Sequence, residues 1–168
     1  DFADGFNLVL DDVQQLRQAS RMLQLNARVQ AHLGQTEKAV ASLETMVAME
    51  KSLENHPLLV SQLVRAALIN SAANAIGDLL GDLAMNDEQL SRLQSRLAAR
   101  DVSTGFRNGV LGERCMAIQM FEPSRVDEFG VNPAERWAMY LPQDTETYFA
   151  CMKARLDAMD KPFSQARD

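Results

Sequence analysis

The stretch that decides the fold is LLVSQLVRAALINSAANAIGDLLG, residues 58–81. Leu, Ile, Val and Ala fall on nearly every side of a 3.6-residue helix here and no proline interrupts it, so the segment predicts a central helix covered on several sides. It carries Gln62, Arg65, Asn70 and Asn74, too polar for the about 18 apolar residues of a membrane span. Pro57 precedes it and suits a first helical turn, where its missing N–H would have had no partner.

Working toward the N-terminus, Val13, Leu16, Ala19, Leu23, Ala27 and Ala31 recur with a helical period from about Val9 to Leu33, and Met22, Leu25 and Val29 widen the stripe. Gly34 stops this helix. Thr36 and Glu37 open a second one, whose buried face is Ala39, Val40, Leu43, Met46, Val47 and Leu53, and so short a stop predicts an antiparallel hairpin. Toward the C-terminus, Asn86 followed by Gln89 has the form of a capping box, opening a short helix with Leu90, Leu93 and Leu97 inward. A fifth helix from about Thr104 to Phe121 carries Phe106, Val110, Leu111, Ala117 and Ile118. Pro57 is the single proline before residue 122. Residues 122–143, broken by Pro123, Gly130 and Pro133, read as an irregular arm anchored by Trp137, Tyr140 and Leu141, and Asp144 or Thr145 then caps a last helix to about Asp160. The expected fold is all-α: an antiparallel array of five or six helices in one domain spanning residues 1–168, with residues 1–121 as the main array.

Leu23 to Glu50 resembles a tetratricopeptide helical hairpin, with Ala27 at the small position of the first helix, Gly34 in the turn, and Ala39 and Leu43 in the second helix. The family's aromatic position holds Leu23, its Leu-before-small position Asn26 and its terminal Pro position Lys51. A shift by the repeat length of about 34 residues places Ser61 and Leu68 where Ala27 and Gly34 stood, so no second copy is visible. The resemblance implies hairpin packing geometry. Taken whole, the chain is similar to helical domains within longer bacterial envelope-associated proteins. That implies a fragment of a larger chain, with the cell envelope or extracytoplasmic space favoured over a cytoplasm left open, and no activity.

Seventeen Lys and Arg against 23 Asp and Glu give a net charge of −6. With no basic cluster, nucleic acid is not an expected partner. Two cysteines, Cys115 and Cys151, form neither a disulfide framework nor a metal spacing and are expected as buried thiols. No HExxH, GxSxG, P-loop or GxGxxG pattern occurs. The two histidines, His32 near a helix end and His56 in a connector, read as structural, and no cofactor or metal is expected.

Arg65 is the most informative polar residue, because a guanidinium inside so apolar a helix needs a carboxylate or several carbonyls. Glu113, on the stripe of Phe106, Val110 and Ala117, is the expected partner, with Asp82 and Glu88 behind it. The pair reads as an interhelical clamp, or alternatively, with Gln62, as a polar binding or catalytic pocket. Gly105, Gly109 and Gly112 line one side of the fifth helix at about 1 kcal/mol each relative to Ala, which predicts a close backbone approach. The methionines, among them Met116, Met120, Met139, Met152 and Met159, read as core filler or an adaptable face. The leading functional expectation is a non-catalytic protein-interaction or scaffolding domain with an unidentified protein partner. Self-association is left open, and Trp137 is a candidate contact.

Overall fold

The computed structural model describes residues 5–120 and 142–161. The described residues are helical and contain no strand: α1 (Gly5–His32), α2 (Thr36–Met49), a 3-10 turn (Glu50–Leu53), α3 (Leu59–Leu79), α4 (Asp87–Ala98), α5 (Ser103–Met120) and α6 (Pro142–Met159). The last helix therefore opens at Pro142, a few residues ahead of the expected cap. Residues 142 and 143 of the expected arm are thus helical, and residues 122–141, with the anchor Trp137, lie outside the described residues.

Contacts divide the chain into two compact units, residues 1–56 with 60–102 and residues 57–59 with 103–168. In the first, α1 and α2 form the expected hairpin. Gly34 takes φ +68°, and the Gly34 and Gln35 amides donate to the carbonyls of Ala31 and Gln30, both at 2.9 Å. This pair of bonds is a Schellman stop, which satisfies the last carbonyls of α1 and needs a residue tolerant of the left-handed region. Ala27, Ala39 and Leu43 are fully buried where the two helices meet, and Asn26 donates to Ser42 Oγ at 2.8 Å across the seam.

Two further helices lie beside this hairpin with matched directions. Val13 of α1 clusters with Val64 and Leu68 of α3, and Arg28 reaches Asp78 at 2.8 Å, so α3 runs parallel to α1. Glu37 of α2 binds Gln89 and Arg92 of α4, and Glu44 binds Arg92 and Arg96, so α4 runs parallel to α2. The core between them is Val40, Leu43, Met46 and Val47 against Ala72, Ala75, Ile76, Leu79 and Leu93. Neighbouring positions are 50 residues apart for Arg28 and Asp78, and 52 for Glu37 and Gln89. A 34-residue shift could not superpose them.

Two details of the hydrophobic pattern differ from expectation. Leu63 and Leu80 are half exposed, so α3 is covered on one side only, because α4 packs along α2. Leu90 also faces outward. The capping box forms as read, with Asn86 accepting from the Gln89 amide at 2.9 Å, but the Gln89 side chain then donates to Glu37 at 2.6 Å. That bond turns Gln89 and Leu93 inward and rotates Leu90 away.

The second unit pairs α5 with α6 in antiparallel fashion: Arg107 meets Asp160 at 3.2 Å, and Val110 packs with Met152 and Leu156. Gly105 and Gly109 are buried on α5. Gly112 meets a very close approach, since a Cβ there would lie 1.7 Å from the carbonyl oxygen of Pro57, which sits in the turn ahead of α3 rather than in its first turn.

Two predictions follow from these contacts. Gly112→Ala should destabilise the protein by about 2 kcal/mol or more despite the better helix propensity of Ala. Gly77→Ala on α3, where a Cβ meets nothing within 4 Å, should stabilise it by about 0.5–1 kcal/mol. Urea midpoints of the two variants measure both. The Glu37 carboxyl, held below the usual carboxylate range by its hydrogen bonds from Arg92 and then Gln89, contributes stability that is present at neutral pH and lost as pH falls through its lowered pKa. An NMR titration should show it moving back up in Arg92→Ala.

Candidate functional site

Arg65 is buried as its sequence context requires, but Glu113 is not its partner. The guanidinium, 2% exposed, donates from Nε to Oε2 of the fully buried Glu50 at 2.5 Å and from Nη1 to the Asp101 carbonyl at 3.1 Å, while Nη2 lies 3.8 Å from Glu54. Arg100 donates to the other oxygen of Glu50, also at 2.5 Å. Neither Asp82 nor Glu88 takes part. Glu50 continues the row Leu43, Met46, Val47 along α2, so it projects into the same interior that those residues fill. Glu113 lies in the other unit, on α5, where its charge, second to burial, raises the pKa of Tyr148.

Gln62 is brought to the same place. Its amide nitrogen donates to the carbonyls of Leu53 at 2.9 Å and His56 at 2.7 Å, closing the 3-10 turn that Glu50 begins. Ser61 and His56 share a 3.1 Å hydrogen bond one step away. Arg65 thus has every guanidinium nitrogen facing an acceptor, and Gln62 holds a turn. The cluster of two arginines and two carboxylates is balanced in charge and positioned as a clamp joining the end of α2, the second turn of α3 and the chain leaving α4.

The remaining sequence candidates fall elsewhere. Cys115 and Cys151, expected to be buried, are exposed. On α6 the inward row is Tyr148, Met152 and Leu156, which turns Cys151 outward, and Cys115 lies well round α5 from Val110. Met152 is buried, whereas Met159 is exposed. Among the described residues no group of His, Cys, Asp and Glu is arranged to hold a metal ion, and no helix is long and apolar enough to cross a membrane. A shallow depression along α4, lined by Glu88, Ser91, Arg92, Ser95 and Arg96, has both arginines engaged by Glu37 and Glu44.

Met22, Leu25 and Val29, which the sequence pattern assigns to the buried stripe, stand instead on an exposed apolar ridge of α1 that ends at Leu33, one residue past the helix. Met22 is 68% exposed, Leu25 59%, Val29 47% and Leu33 62%. They recur at i, i+3, i+7 and i+11, so they stand on one face and cover about 16 Å of helix. Asn26, bonded to Ser42, fixes α2 on one flank of that face, and Arg28, bonded to Asp78, fixes α3 on the other. The ridge was legible as a stripe; which side of α1 faces the core was not, because apolar residues occupy both.

Removing one member of the clamp should be severe. Glu50→Ala should cost about 3–5 kcal/mol in denaturant unfolding, since it leaves the buried Arg65 without its carboxylate, and Arg65→Ala should cost less, because Arg100 still holds Glu50. The double variant should cost clearly less than the two together. Comparison of the chain with protein-family models, with curated proteins and with solved structures returns no match, so function rests on the ridge and the clamp themselves.

Proposed function

We propose that the chain is a non-catalytic interaction domain that docks another protein on the outer face of α1. The carrying observation is the row of exposed apolar side chains from Met22 to Leu33. Isolated exposed leucines are ordinary on soluble proteins, but a continuous apolar row along one helix face keeps its desolvation gain for a partner. The α1–α2 hairpin, with α3 running parallel to α1 and α4 parallel to α2, gives that face a rigid backing, in keeping with the resemblance of the hairpin to helical-repeat proteins. The alternative, a polar binding or catalytic pocket around Arg65, loses support because Glu50, Glu54 and the Asp101 carbonyl already occupy its guanidinium.

Cysteine protection tests the proposal. With Cys115 and Cys151 replaced by Ser, a single Leu25→Cys thiol should react freely with a maleimide in the purified chain and be strongly protected in the cells that make the full-length protein. A control thiol at exposed Ala73 should react alike in both settings. Equal reactivity of Leu25→Cys in the two settings would overturn the docking role.

A further inference from the structure

We infer that the partner is an amphipathic helix whose apolar row is flanked by carboxylates; this rests on the docking role proposed for the same face. Arg17, Arg21 and Arg28 lie along one side of the ridge, four and seven residues apart, with His32 beyond them. Between Asp12 and Glu37 there is no acidic residue. In a chain of net charge −6, this concentrates positive charge beside the apolar row. Arg28 is tied to Asp78, whereas Arg17 and Arg21 are exposed and form no ion pair among the described residues.

The spacing of Met22, Leu25 and Val29 is that of a helix seam, in which apolar positions interdigitate and the flanking positions choose the partner. Arg21 and Arg28 occupy one flank of that seam and Asn26 and Leu33 the other. A second copy of this ridge fits poorly: antiparallel, it sets arginine against arginine, and parallel, it sets Arg21 against Asn26 and Arg28 against Leu33, with no carboxylate in either case. A helix carrying Glu or Asp on the matching flank pairs with Arg21, and Arg17 one turn earlier adds to the same positive field, while the apolar row of that helix covers Met22, Leu25 and Val29 and reaches Leu33.

The test uses synthetic amphipathic peptides of about three heptads, identical in their leucine row and carrying Glu, Lys or Gln on the flank. Binding to the 168-residue chain is read by fluorescence anisotropy. The Glu peptide should bind most tightly, with an affinity that falls as salt is added, and Leu25→Glu should abolish its binding. The double variant Arg17→Glu, Arg21→Glu should weaken the Glu peptide about tenfold and strengthen the Lys peptide. Equal binding of the three peptides, or no binding by any, would overturn the acidic partner; Leu25→Cys protection in cells, which is blind to charge, would then still report separately on docking. Sedimentation showing self-association that Leu25→Glu abolishes would instead assign the ridge to a second copy, and preferential binding to anionic phosphatidylserine vesicles would assign it to a lipid surface. Either result overturns the inference.

Discussion

The first unit depends on the Glu50 carboxylate being held between two guanidinium groups. Glu50 caps the C-terminal end of α2, where the helix dipole disfavours a negative charge, and Arg65 stands in the second turn of α3 with its permanent charge buried. Each is in an adverse position alone and in the interior of the protein. Paired, with Arg100 and the Asp101 carbonyl completing the set, they satisfy one another and join three segments of chain. A buried ion pair is a weak source of net stability against an apolar substitute. Its consequence here is register: Gln62, one turn before Arg65, is set over the carbonyls of Leu53 and His56, and Val64 and Leu68 are set against Val13 and Leu53.

Register at that end determines what is exposed along α1. Once Arg65 fixes α3, Asp78 meets Arg28; once the Schellman stop at Gly34 reverses the chain, Ser42 meets Asn26. α1 is therefore gripped on two adjacent flanks and its outward face lies between them. The exposed apolar row is thus a product of the clamp and the turn, and it is backed by helices that leave it little freedom to rotate inward.

Much of this architecture was legible in the sequence. The helical periods, the stop at Gly34 and the Asn86–Gln89 capping box depend on neighbouring residues and emerge from local chemistry. Burial of Arg65 was legible because a permanent charge among Val64, Ala66 and Leu68 has no other comfortable place. Its partner was not, since choosing among carboxylates requires knowing which helices adjoin; the available signal was Glu50 itself, the polar occupant of the row Leu43, Met46 and Val47. The close approach at Gly112 could be read from the cost of glycine in a helix, but not its source, the Pro57 carbonyl. The thiols of Cys115 and Cys151 were misplaced because residue type, rather than helical phase, was used to judge them.

The functional reading follows from how the polar and apolar groups of the first unit are used. Arg65, Gln62, Ser61 and His56, the side chains with the chemistry for a pocket, are engaged by other parts of the same unit. Gln89 and Arg92 are likewise engaged by Glu37. On α1 the relation is reversed: apolar side chains face water and two arginines beside them stand without an ion pair among the described residues. Folding gains nothing from leaving Met22, Leu25, Val29 and Leu33 in water, whereas association with a complementary helix would bury the row and neutralise its flank together. The same four residues that weaken the case for a self-contained fold therefore strengthen the case for a docking surface.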